Sequence, residues 1–124
     1  MKNLFIEKTS QKPEINFNPE TGILAISGRS LPEDSSQFYK PVMDWLKIYF
    51  EQPYENTKLV FKMDYFNTAS AKAIFSIFNK CEMQFKEGLD ISVEWWYDKD
   101  DEDMKELGDE YVDLFTMPIQ LLKN

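Results

Sequence analysis

The chain contains no histidine and only one cysteine, Cys81, in 124 residues. Without histidine it lacks the commonest general base and the commonest zinc ligand. A single cysteine excludes a disulfide framework. Glycine is scarce, at four residues, and neither a P-loop nor a dinucleotide-binding fingerprint is present. No apolar run approaches the roughly 18 residues of a membrane span, and the opening MKNLFIEKTS does not read as a secretory signal. Basic side chains are outnumbered 14 to 22, which gives a net charge of −8. A surface of that sign repels nucleic acid and anionic lipid, and no basic stripe offsets it. Together these absences predict a cytoplasmic, non-enzymatic protein without a cofactor, a nucleic-acid partner or a membrane partner.

Core material is plentiful by contrast, with ten Phe, six Tyr and three Trp. A chain of this length suits one domain, here residues 1–124, and can hide roughly two-thirds of its unfolded surface without a disulfide or metal.

The segment INFNPETGILAIS places two apolar stretches around a turn-rich Asn-Pro-Glu-Thr-Gly, which predicts an antiparallel hairpin over 14–18 and 22–28. LFIEKT before it can add an edge strand. After the loop GRSLPEDSS, residues Phe38, Val42, Trp45, Leu46, Tyr49 and Phe50 recur at helical spacing, with Ser35 or Ser36 as cap and Pro53 beyond the end. Pro41 is tolerable only near the first turn. KLVFKMDYF then alternates, aligning Leu59, Phe61, Met63 and Tyr65 on one face of a strand. A helix follows, with Ile74, Ile77, Phe78, Cys81 and Phe85 as its apolar stripe, Ser76, Asn79, Lys80 and Glu82 elsewhere, and Gly88 at its end. DISVEWWY alternates again, and a last helix from about Asp101 to Phe115 leaves MPIQLLKN as a short tail. The order β-β-α-β-α-β-α predicts an α/β fold with a mixed sheet, right-handed crossovers and helices mainly on one face.

Four features invite a functional reading, and each has a plainer one beside it. Cys81 lies on an apolar stripe, where a small buried side chain is the simpler reading than a nucleophile. The run YDKDDEDMKE offers Asp98, Asp100, Asp101 and Asp103 to a metal or small molecule, yet it lacks the glycine and terminal glutamate of a calcium loop. Its plainer reading is a solvated loop entering a helix that prefers negative charge at its start. Trp95 and Trp96 are adjacent on a strand and face opposite ways, so one is core and the other can anchor an interface.

The fourth feature is the seam NTAS between strand and helix. Asn67 or Thr68 can simply cap the helix. The same geometry also suits a phosphate, because free N–H groups and the helix dipole favour negative charge there. Lys72 lies one turn on, at i+4 from Thr68.

The blocks ISGRSLPEDSSQFYKPVMDWLKIYF, FKMDYFNTASAKAIFSIF and VEWWYDKDDEDMKELGDEY together resemble the SiaC family of bacterial regulatory phosphoproteins, over roughly residues 5–120. The resemblance implies a single STAS-like domain, similar to anti-sigma-factor antagonists. It also implies a phosphoacceptor threonine, which falls on Thr68, with Asn67, Ser70 and Lys72 as neighbours and Ser70 as the fallback acceptor. Ala69 and Ala71 stand where serines are expected. The implied partners are a histidine-kinase-like serine/threonine kinase, a PP2C-type phosphatase and an effector, a diguanylate cyclase, bound and activated by the unphosphorylated form and released by phosphorylation. Cyclic di-GMP signalling and biofilm formation are the implied context. Competing readings are an anti-sigma-factor antagonist that binds an anti-sigma kinase, and an acidic metal or small-molecule binding module at Asp98 to Asp103.

Overall fold

The computed structural model describes residues 1–52 and 55–124. A six-stranded sheet runs in chain order: β1 (Leu4–Ile6), β2 (Glu14–Asn18), β3 (Ile23–Ser30), β4 (Asn56–Phe66), β5 (Asp90–Tyr97) and β6 (Ile119–Lys123). The first three strands pair antiparallel and the last four pair parallel. Three helices, α1 (Ser35–Tyr49), α2 (Thr68–Lys86) and α3 (Glu102–Leu114), make the crossovers between the parallel strands. Each crossover moves one strand further in the same direction. Three crossovers of one hand therefore stack all three helices on one face of the sheet.

The alternation of the strands supplies that face. Ile15, Phe17, Leu24, Ile26, Leu59, Phe61, Ile91, Val93 and Trp95 are fully or almost fully buried beneath Val42, Leu46, Ile74, Ile77 and Phe78. Trp95 is the centre of this core, 4.5 Å from Phe61 and 4.9 Å from Tyr111 between ring centroids. Its indole N–H donates to the Met104 carbonyl at 3.1 Å. Gly108 makes this close approach possible, since a Cβ there would lie 2.7 Å from both the Trp95 Nε1 and Leu121. Trp96, next in the chain, lies half-buried on the uncovered face, where Lys62 sits 4.6 Å from its ring centre and Glu94 accepts its N–H.

Several sequence expectations need correction, each for a local reason. The hairpin, the central helix and β5 fall where expected, but residues 119–123 are a sixth strand rather than a tail. Ile-Gln-Leu-Leu is too short and too apolar for its alternation to show, and its pairing to β5 defines it. β1 is formed, and supplies the opposite edge. Asp34 caps α1, its carboxylate accepting from the Gln37 N–H at 3.1 Å, in place of Ser35 or Ser36. Pro41 consequently lies in the second turn of α1, on its exposed side. The strand register of β4 against β3 shifts between Gly28 and Arg29, and Asp64 is the extra residue. The bulge reverses the alternation, so Tyr65 turns outward beneath Arg29 and Phe66 turns in against Phe61. Pro53, expected past the end of α1, lies outside the described residues.

Candidate functional site

β4 ends at Phe66 and α2 begins at Thr68, so one residue, Asn67, makes the whole turn. Its backbone is extended, at φ −82° and ψ 175°. The side-chain carbonyl accepts from the Ser70 N–H at 2.8 Å, and its main-chain carbonyl accepts from Ala71 at 2.9 Å. Asn67 is therefore the cap. Thr68 is the first helical residue and is exposed, with its hydroxyl not engaged in capping. The first turn of α2 carries no carboxylate, so the positive end of the helix dipole is left without a compensating charge.

Ser70 has a different environment although it lies two residues away. It is fully buried. Its hydroxyl donates to the Ser30 carbonyl at 3.1 Å and accepts from the Ser30 hydroxyl at 2.8 Å. The Ser30 hydroxyl also lies 2.7 Å from the Tyr39 hydroxyl. Because the Ser30 proton is already given to Ser70, Tyr39 must be the donor in that last bond. The Ser30 carbonyl further accepts from the Asn67 N–H at 3.1 Å. One closed set of bonds thus fastens the start of α2 to the end of β3 and to α1. Burial pushes the Tyr39 phenol up, against the smaller opposing effect of the Ser30 and Ser70 hydroxyls beside it. It stays neutral and keeps its proton available to Ser30.

Ser30 and Tyr39 were not singled out in the sequence. The signal was present in GRS, where a small polar residue ends a strand on its buried side, but that segment reads as loop. Lys72 is exposed on α2, one turn beyond Thr68. The structure thus brings Asn67, Ser70 and Thr68 together on a rigid base, with the threonine alone of the two hydroxyl residues open to solvent.

The other features resolve into structure. Cys81 is fully buried and its thiol is pushed up to about 12 by burial, so it is neutral near pH 7. In the acidic run, Asp101 caps α3 through the Met104 N–H at 3.0 Å, and Asp98 accepts from the Asn124 side chain at 2.9 Å. Among the described residues, no group of three or more His, Cys, Asp or Glu is arranged to hold a metal ion. Nor, among the described residues, is any helix long and apolar enough to cross a membrane. Glu82, expected to point outward, is instead buried and accepts three bonds, from the Thr116 N–H, the Thr116 hydroxyl and the Met117 N–H at 2.8–2.9 Å. It holds the turn that launches β6.

Comparison with known proteins agrees with this geometry over the full length. The model of the SiaC family regulatory phosphoprotein matches residues 6–124. An uncharacterized protein of Pseudomonas aeruginosa (strain UCBPP-PA14) is 29% identical over 121 residues, covering 98% of this chain and 96% of that protein. The structure of SiaC of Pseudomonas aeruginosa superposes with a TM-score of 0.92 at 26% identity, covering 100% of both chains. A chain in the crystal structure of the diguanylate cyclase SiaD in complex with its activator SiaC, from Pseudomonas aeruginosa, gives a TM-score of 0.93 at 28% identity, covering 98% of this chain and 99% of that one.

Proposed function

The chain belongs to the SiaC family of regulatory phosphoproteins, and on that premise we propose that it is a cytoplasmic partner-switching regulator with Thr68 as its phosphoacceptor. Unphosphorylated, it binds and activates a diguanylate cyclase; phosphorylated on Thr68, it releases the cyclase. A histidine-kinase-like serine/threonine kinase adds the phosphate and a PP2C-type phosphatase removes it. The cyclase is taken from the relative, whose crystal structure is described as SiaD in complex with its activator SiaC.

One observation carries the choice of residue. Thr68 is exposed at the first position of a helix capped by another side chain, whereas Ser70 is buried in a closed hydrogen-bond set. A kinase can reach the threonine without opening the fold. The phosphate then meets unpaired N–H groups and a helix dipole, so the domain itself accommodates it with little rearrangement. A partner packed over the same helix end does not. For it, the dianion is a charge removed from water without a counterpart, which costs several kcal/mol, and each 1.4 kcal/mol is tenfold in affinity.

The test is phosphosite mass spectrometry on protein taken from its own organism, with and without the phosphatase. Phosphate is expected on Thr68 and should accumulate when the phosphatase is removed. Phosphate on Ser70 instead would overturn the assignment of the residue, and no phosphate under either condition would overturn the switch.

A further inference from the structure

The charge of this molecule is not evenly spread. Residues 98–113 hold nine acidic and two basic side chains, so all but one unit of the net charge of −8 belongs to α3 and the run that leads into it. Within α2 the opposite holds. Its three lysines, Lys72, Lys80 and Lys86, face one carboxylate, Glu82, which is buried and engaged with the 116–117 turn. Residues 68, 72, 76, 79 and 83 recur at helical spacing and are all exposed, forming a stripe without a single acid.

At the far end of that stripe α1 and α2 enclose a groove of about 240 Å³, lined by Lys47, Phe50, Glu51, Lys80, Met83 and Gln84. Met83 is 65% exposed, and Ile48, adjacent to Lys47 in the chain, is 51% exposed. Three of the six helical lysines pair with a carboxylate at i±4: Lys40 with Asp44, Lys86 with Glu82 and Lys105 with Asp109. Lys47 and Lys80 form no ion pair among the described residues, even though Glu51 shares the groove with them. Apolar side chains flanked by cations without an ion pair, on a molecule whose net negative charge lies almost wholly on α3 and the run before it, fit one kind of occupant.

We propose that the α1/α2 groove receives an acidic amphipathic helix of the partner, laid along the exposed stripe of α2. Its apolar residues pack on Met83 and Phe50, and its carboxylates face Lys47, Lys80 and Lys72. The acidic surface of α3 repels the same helix and so fixes which side of the domain it uses. At about 1.5 Å per residue, Met83 lies about 22 Å along the axis from Thr68, a span that a partner helix of about 15 residues covers. Such a helix reaches both ends of α2. A phosphate on Thr68 then opposes an acidic partner directly, and the switch acts through repulsion as well as through desolvation. This step rests on the partner-switching role proposed above and adds the chemistry of the partner segment.

The experiment is a titration of a diguanylate cyclase from the same organism against wild type, the double reversal Lys47→Glu/Lys80→Glu, Met83→Ser, and Glu106→Lys/Asp113→Lys on α3. Thermal melting checks that each variant is folded. The groove reversal is expected to weaken binding at least tenfold and to flatten its salt dependence, and Met83→Ser to weaken it severalfold. The α3 variant should stay within twofold of wild type. If wild type binds and the groove variants bind equally well, the groove is overturned and the switch stands. An α3 reversal that weakens binding as much as the groove reversal also overturns it. If wild type does not bind the cyclase at all, the partner-switching role falls, and this inference with it.

Discussion

The starts of α2 and α3 share one capping bond but carry different charge. Each follows a parallel strand, and each is capped by an Asx side chain that accepts from the third residue on: Asn67 from Ser70 at 2.8 Å, Asp101 from Met104 at 3.0 Å. The third helical residue is buried in both, as Ser70 and Met104. The first is exposed in both, as Thr68 and Glu102. In α3 the cap and the first two positions are all carboxylates, so the dipole is compensated. In α2 none of them is charged. Glu102 therefore shows that a helix start with this capping bond carries negative charge at its first position, the position Thr68 occupies in α2. Phosphorylation of Thr68 would give α2 the charge that α3 always carries, so the event is expected to change the surface and leave the fold intact.

The sharpest way to break that comparison is to move the charge inward by two residues. Ser70→Asp places a carboxylate in a fully buried site whose bonds are already taken, and should cost more than about 4 kcal/mol, a large share of a domain's 5–15 kcal/mol. Thr68→Asp should stay within about 1 kcal/mol of wild type. Urea denaturation of the two variants side by side reads the difference, and a mildly destabilised Ser70→Asp would contradict the closed network.

The opposite end of α2 has a buried charge of its own, and it gives a pH dependence that the start of the helix lacks. Burial alone would raise the Glu82 carboxyl, but bonds from Thr116 and Met117, with Lys86 nearby, outweigh it and hold the group below its usual value. A depressed folded-state pKa means stability present above the unfolded value of about 4.3 and lost as pH falls through the folded one. Glu82→Gln should cost about 1.5–3 kcal/mol at neutral pH and flatten the acid limb of a melting-temperature profile. An unchanged acid limb would show that Glu82 does not hold the 116–117 turn in solution.

The smallest effect swaps the two caps. Asn67→Asp adds a charge at the uncompensated helix start and should stabilise by about 0.3–1 kcal/mol, while Asp101→Asn keeps the cap bond and loses less, because Glu102 and Asp103 still compensate the α3 dipole. Both should fade in high salt. Equal responses at the two sites would mean that the neighbouring carboxylates of α3 do not matter.

Much of this was legible in the chain. β5 reads directly from alternation because each of its buried positions is large and apolar, and the seam reads from the abrupt change of period at Asn67. What escaped was set by partners distant in sequence. The bulge at Asp64 is a mismatch between β3 and β4, so no local pattern could place Tyr65 outside. Glu82 is buried because the 116–117 turn returns to it from 34 residues away. The hydroxyls of Ser30 and Tyr39 become part of the site only once three elements meet, and with them the difference between Thr68 and Ser70.

That difference is tested most directly by calorimetric titration of a diguanylate cyclase from the same organism with two samples, one unphosphorylated and one stoichiometrically phosphorylated on Thr68. The account predicts binding by the first and an affinity lower by on the order of 100-fold or more for the second, the consequence of a dianion covered without a counter-charge. Equal affinities would show that the start of α2 is a helix cap and not a switch.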